Sequence, residues 1–250
     1  YRGENAYPLL DKWIEEESHR WEPEAPGDVQ LSPAVVDMYK FYGVLPIGDT
    51  CRNGTWKYNY NLEAKKKWYG KFGGKDNEVE RPRFYEELRH RKRTMIEIAK
   101  DPGIKLTETW PKEFPKDKMS GEQQIPFINA LVNNKATKLV LNIPNQGAVK
   151  GIPDDVVVEV PLEVKGSGLY PEKIEPGLPD KVVKYYLTPR ITRMEMAIDA
   201  FTMGDRKILE ELLVRDPRTK NYEDIPRLWN EIFSLPFNQE MKDHYSDSRI

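Results

Sequence analysis

Two β-branched runs in an otherwise helix-favouring chain set the limits on its fold. Residues 137–143 (Thr-Lys-Leu-Val-Leu-Asn-Ile) and 155–160 (Asp-Val-Val-Val-Glu-Val) are separated by Pro144, Gly147, Gly151 and Pro153. That is the pattern of two neighbouring strands joined by a turn-rich connection. A third strand is expected over residues 163–170, across the Gly166-Ser167-Gly168 turn. So little strand sequence allows only a small, mainly antiparallel sheet, and helices must supply the rest, which makes the class α+β. The 250 residues are read as a single domain, 1–250, large enough to bury a core without a disulfide or metal staple.

The helices announce themselves by spacing and caps. Leu9, Leu10, Trp13 and Ile14 lie at helical intervals within residues 5–20. A second helix has a cap at Ser32, Pro33 in its first turn and Gly43 as its terminator. Its apolar residues Val35, Val36, Tyr39 and Phe41 to Val44 predict a buried helix, followed by a short polar loop over residues 46–54. A lysine-rich helix is expected over 61–69, then a Gly73-Gly74 break. A charged helix follows over 83–100, with Phe84, Leu88, Met95, Ile96 and Ile98 as its inner stripe. Residues 101–119 carry Pro102, Pro111 and Pro115 and are expected to be extended. After Pro179 the chain turns helical over 180–203, where Pro189 should kink or divide it. Shorter helices are expected near 205–214, 222–234 and 237–245.

Charge narrows the function classes. The 39 basic and 41 acidic residues leave a net charge of -2, without the basic excess of a nucleic-acid or membrane-surface protein. The run Arg89-His90-Arg91-Lys92-Arg93 shares its helix with Glu86, Glu87 and Glu97 and reads as a solvated face. No apolar run approaches the ~18 residues of a membrane span. The single cysteine, Cys51, cannot form an internal disulfide and points to a reducing, cytoplasmic setting. His19, His90 and His244 show no metal-ligand spacing, and Asp154-Asp155 reads as a turn ahead of a strand. Neither a P-loop, a zinc cluster nor a nucleophile elbow is found.

The most pointed constellation is Gly48-Asp49-Thr50-Cys51-Arg52-Asn53. A carboxylate behind a hydrophobic helix can act as a general base once partly desolvated. An arginine three residues on could hold it ionised or steer an anion. A capping Asp beside an exposed Arg gives the same pattern, and the residues alone favour that plainer explanation.

Several segments, taken in order, resemble the family 4 glycoside hydrolases, in their α-glucosidase and α-glucuronidase branch. They are Asn5 to Asp11, Met38 to Asn53 with Pro46-Ile47-Gly48-Asp49-Thr50, and Ser120-Gly121-Glu122-Gln123. Asn142 to Gly147, Asp154 to Pro161, Lys184 to Leu187 and Arg215 to Thr219 complete the set. The resemblance implies a C-terminal domain similar to that of lactate and malate dehydrogenases, in an enzyme cleaving α-glycosides with NAD and Mn2+. There NAD+ takes a hydride from C3 of the sugar, a base removes the acidified C2 proton, and the C1 group is eliminated. It further implies that Asp49 is that base, that Arg52, Asn53 and Glu122 contact the sugar, and that Asn145 and Gly147 border the cofactor. No metal ligand is carried over. The family's dinucleotide fingerprint and metal-binding segments are expected ahead of Tyr1, so the chain alone is expected to be inactive. A small carbohydrate and further copies of the chain are its expected partners, with neither nucleic acid nor membrane. Two other classes remain open: a non-catalytic assembly domain or remnant, and a dehydrogenase-type domain, for which no suitably placed catalytic His is found.

Overall fold

A computed structural model describes residues 4–109, 121–166 and 168–245. The first amphipathic stretch forms α1 (Tyr7–Glu16) and a 3-10 turn at Ser18–Arg20. Helix α2 (Pro33–Tyr42) begins and ends where its caps predict. Ser32 Oγ accepts from Val35 N–H at 3.4 Å, and Gly43, at φ +78°, donates its N–H to Tyr39 O at 2.8 Å. Its buried residues are Ala34, Val35 and Met38, whereas Phe41, expected inside, is exposed although it lies on the same face one turn further on, in the last turn of the helix. The segment expected as a polar loop instead winds into a 3-10 helix, Gly48–Asn53. Asn61 caps α3 (Leu62–Tyr69), its Oδ1 accepting from Ala64 N–H at 2.8 Å.

Past the Gly73-Gly74 turn, buried Asn77 donates to Gly74 O at 2.7 Å and accepts from Val79 and Glu80 N–H, each at 2.9 Å. One amide thereby ties the turn to the start of α4 (Glu80–Lys100). The expected inner stripe of α4 is not inner: none of its residues is buried, and Phe84, Leu88, Met95 and Ile96 are exposed. Charged residues surround that stripe, and the helix is supported by its own ion pairs, Arg89–Glu86 and Lys100–Glu97, each at 3.0 Å. A short helix, α5 (Leu106–Thr109), breaks the stretch expected to be extended. The rest of that expectation, residues 110–119, lies outside the described residues, as does Ser120.

Helix α6 (Gln124–Val132) has no counterpart in the sequence reading. Pro126 sits in its first turn, where the missing N–H has no intrahelical acceptor to lose. Three antiparallel strands follow in the order β1 (Thr137–Pro144), β2 (Val157–Lys165) and β3 (Gly168–Pro171). The register sets Leu139 opposite Leu162 and Leu141 opposite Val160. One face therefore buries Leu139, Ile143, Val160, Leu162 and Val164 while the alternate residues face outward. Residues 163–165 finish β2 instead of opening a third strand, because Gly166, at φ +56°, turns the chain back. The free edge of β1 is met by the Gln123 amide, which accepts from Val140 N–H at 2.8 Å and donates to Val140 O at 2.9 Å.

After Pro179 come α7 (Asp180–Val182), a π-helical segment at Val183–Leu187, and α8 (Thr188–Met203). Pro189 divides the stretch as expected, with a widened turn as the means. Lacking an N–H, it cannot serve the carbonyl four residues back, and Thr188 Oγ1 donates to Val183 O at 2.8 Å. Helices α9 (Arg206–Val214), α10 (Asp224–Ser234) and α11 (Gln239–His244) close the chain. No described helix is long and apolar enough to cross a membrane.

The chain divides into two compact units, residues 1–82 with 179–250, and residues 83–178. The second holds the sheet and α6. The first holds two buried clusters. One gathers Ala200, Leu209, Ile225, Trp229, Phe233 and Tyr245 from α8 to the C-terminal helices. The other gathers Val29, Ala34, Val35, Met38, Cys51, Tyr58 and Tyr69, with Tyr186 packed against it. Cys51 is fully buried in the second cluster, so the 3-10 helix that carries it is anchored in the core.

Candidate active site

The turn at Gly48–Asn53 is held carbonyl by carbonyl. The Gln30 amide donates to Gly48 O at 3.0 Å and accepts from Gly48 N–H at 3.1 Å. Tyr186 OH donates to Thr50 O at 3.0 Å, Tyr69 OH to Cys51 O at 3.2 Å, and Asn59 Nδ2 to Arg52 O at 3.2 Å. Gly48 itself sits at φ +60°, a conformation that glycine adopts without strain. Burial pushes the Cys51 thiol up to about 11 and raises the Tyr69 and Tyr186 phenols, so all three are protonated at neutral pH. Cys51 is thus a core residue whose carbonyl is anchored by a phenol, with no thiolate character.

On this clamped turn Asp49 points outward, with 74% of its side chain exposed. The expected partial desolvation is absent here. Packing turns Cys51 inward, and a 3-10 helix of three residues per turn then sets Asp49 on the outer side. Its partner is Arg52, whose NH2 contacts the Asp49 carboxylate and whose NH1 donates to Asp76 Oδ2 at 2.8 Å. Arg52 is only 20% exposed, and its buried Nε has no hydrogen-bond partner among the described residues. Asp76 also accepts from Arg81 NH2 at 2.8 Å, and its backbone carbonyl accepts from Lys65 Nζ at 2.5 Å. Burial lowers the Lys65 ammonium from its usual value, with the Lys220 charge adding to the effect.

Beside this turn, in the same unit, lies a cleft of about 410 Å³ lined by Asn53, Gly54, Tyr186, Arg190, Arg193 and Arg215. Arg190 NH1 donates to Tyr186 OH at 3.3 Å, and its guanidinium lies 5.3 Å from the centre of that ring. Behind the lining, Asp216 is shared by Arg193 at 3.4 Å and by a two-bond contact from Arg218, each bond 2.9 Å. Burial alone would raise the Asp216 carboxyl, but the Arg218 hydrogen bonds and the two guanidinium charges outweigh it and hold it below the usual range.

The expected site residues fall into two groups. Asp49, Arg52 and Asn53 share one 3-10 helix of the first unit. Glu122, Asn145 and Gly147 belong to the second unit. Glu122 is exposed just ahead of α6. Asn145 is buried, and its side chain closes the turn after β1 by donating to Val149 O at 3.1 Å and Ile152 O at 2.7 Å and accepting from Val149 N–H at 2.7 Å. Gly147 sits at φ +82° with open space where a Cβ would stand, so its backbone angle, and no close approach, asks for glycine. Sequence reasoning missed Asp76, Gln30 and the arginines of the cleft. Arg190 and Arg193 are three apart on one helix and could have been found as a basic face. Nothing local links Asp76 or Gln30 to the turn.

Across residues 1–219 the sequence matches the family 4 glycosyl hydrolase C-terminal domain, and the chain belongs to that family. Among its relatives is the alpha-galacturonidase of Thermoanaerobacter italicus (strain DSM 9252 / Ab9), 28% identical over 116 residues, which are 46% of this chain and 25% of that protein. The crystal structure of lplD from Bacillus subtilis is similar with a TM-score of 0.67 at 21% identity, over 92% of this chain and 51% of that one. A 6-phospho-beta glucosidase from Thermotoga maritima, solved with manganese, NAD+ and glucose-6-phosphate, reaches a TM-score of 0.40 at 22% identity, over 46% of this chain and 28% of that one. The chain thus spans a quarter of the galacturonidase and about half of the lplD chain. Among the described residues no group of three or more His, Cys, Asp or Glu side chains could hold a metal ion. These residues therefore do not fit a manganese ion by themselves.

Proposed function

We propose that this chain is the base-bearing, substrate-side portion of an α-glycosidase, acting on α-glycosides whose sugar is a uronate. The observation that carries this is the turn bearing Asp49. Side chains hold four of its backbone carbonyls, yet the carboxylate it displays is exposed, paired with Arg52 on the solvent side. A carboxylate fixed in position and open to a substrate is what proton abstraction from a sugar carbon requires. Arg52, braced by Asp76, keeps a positive charge beside it and is available to a sugar hydroxyl or carboxylate once substrate displaces the exposed contact. Asn53 belongs to the same surface; a substrate contact from Glu122, in the other unit, rests on the family resemblance alone. Asn145 and Gly147 shape the turn that would border a cofactor.

Hydride acceptance by NAD and Lewis-acid activation by Mn2+ are carried over from the family and need residues other than those described. The name of the galacturonidase relative and the cationic surroundings of Asp49 both favour a uronate over a neutral sugar. The test is Asp49→Asn in the intact protein supplied with NAD+ and Mn2+. A positioned general base contributes about 10²–10⁴ in rate, so turnover of p-nitrophenyl α-galacturonide should fall by at least about 10². Exchange of the sugar C2 proton with deuterated solvent should cease in the same variant. Turnover or exchange at the wild-type rate would remove Asp49 from the role.

A further inference from the structure

The cleft beside the Asp49 turn has a feature that proton abstraction does not use. Three guanidinium groups, Arg190, Arg193 and Arg215, face it, and among the described residues no carboxylate belongs to its lining. The neighbouring acids do not balance them. Asp216 is divided between Arg193 and Arg218, and Glu211 is taken by Arg215. Arg190 has no acidic partner among the described residues. It is held only by the Tyr186 hydroxyl and ring. A half-buried guanidinium without a counter-ion, fixed in orientation by a phenol, is a preformed receptor for an anion. The cleft volume of about 410 Å³ falls among small-molecule sites, which run to about 300–1,000 Å³. Its position ties it to the reaction, because Tyr186 joins the two: it accepts from Arg190 and donates to Thr50 O, one residue from Asp49.

We infer that this cleft is a carboxylate subsite, in which Arg190 is the primary donor and Arg193 and Arg215 supply the surrounding positive field, and that it selects uronides over neutral sugars. The inference rests on the glycosidase proposal for the meaning of the ligand, but its chemistry belongs to residues that proposal does not use. The carboxylate has two possible sources, the uronate whose bond is cleaved and the next uronate along the chain. Both would present the same group to Arg190.

Equilibrium binding to the intact protein, without turnover, tests it. The probes are galacturonate, digalacturonate, galactose and glucose 6-phosphate. Wild type should bind the uronates about tenfold or more tightly than galactose. Arg190→Ala should bring that ratio close to one, and Arg190→Lys should restore part of it. If Arg190→Ala weakens galacturonate itself, the subsite holds the cleaved sugar. If it weakens digalacturonate alone, the subsite holds the neighbour. An unchanged uronate-to-galactose ratio in a folded Arg190→Ala protein overturns the inference, as does tighter binding of glucose 6-phosphate than of either uronate. Should Arg190→Ala fail to fold, Arg215→Gln, on the exposed rim, must reduce the same ratio or the inference falls. Failure of the base assignment would appear separately, as Asp49→Asn turnover at the wild-type rate with Arg190-dependent uronate binding intact.

Discussion

Asp76→Asn separates the support of the candidate site from its surface charge. The substitution keeps the volume of Asp76 and one acceptor oxygen but removes the charge that braces Arg52. In the structure Asp76 accepts from Arg52 and Arg81, both at 2.8 Å. The two contacts are not equivalent. Arg81 is 50% exposed and Asp76 34%, and an ion pair as open as Arg81–Asp76 contributes about 0–1 kcal/mol. Arg52 is 20% exposed, nearer the regime in which a hydrogen bond to a charged group contributes about 1.5–3 kcal/mol. Allowing for the exposure of Asp76, the loss should be about 1–2 kcal/mol in unfolding free energy, nearly all of it through Arg52. If Arg52 then drifts toward the exposed Asp49, the geometry of the base is lost with it. A comparable loss in the transition state is about tenfold in kcat/KM for each ~1.4 kcal/mol. Urea unfolding and turnover of an α-galacturonide, measured on Asp76→Asn and on Arg81→Ala, give the answer. Asp76→Asn should show both losses and Arg81→Ala neither. Equal effects of the two variants, or a destabilised Asp76→Asn with unchanged kcat/KM, would refute the bracing role.

Three other outcomes follow from the geometry. Asn145→Ala breaks three buried hydrogen bonds and strands Val149 N–H; it should cost about 3 kcal/mol in urea unfolding, and a loss under about 1 kcal/mol would contradict the buried network. Asp216 is held below its ordinary carboxylate range, so its contribution is complete above the unfolded value of about 3.9 and fades as pH falls through the lower folded value. Asp216→Asn should therefore lower stability at neutral pH and flatten its acid limb below about pH 4, with a parallel limb in the two proteins as the contrary result. Cys51 is fully buried, with its thiol pushed up to about 11; native protein at pH 8 should resist iodoacetamide and react after unfolding, and rapid native labelling would speak against this packing.

Local chemistry was legible wherever neighbours in sequence decide the outcome. Ser32, Pro33 and Gly43 framed α2 to the residue, and the two β-branched runs paired as expected. Periodicity misled on α4, because helical spacing reports a stripe and says nothing of whether another surface covers it. The stretch that forms α6 went unread: with Pro126 in its first turn and only nine residues, it offers little helical periodicity to find. In the candidate site, the pairing of Asp49 with Arg52 could be read three residues apart, but its exposure could not, because Cys51 decides which side of the turn faces in. Asp76, 24 residues from Arg52, and Tyr186, 136 residues from Thr50, enter only through the folded chain.

The π-helical segment at Val183–Leu187 acts as a phase setter for the helix that follows. One residue more or less in a helix turns everything downstream by about 100°. Tyr186 lies inside the widened segment, whereas Arg190 and Arg193 lie beyond it, and all three meet at one cleft. Shortening the segment ahead of Tyr186 by one residue would restore ordinary winding yet carry Tyr186 and both arginines round together, taking the Tyr186 hydroxyl off Thr50 O. The slack turn ahead of Pro189 is thus a rotational gauge, and cationic cleft and clamped turn stay aligned only while its extra residue is kept.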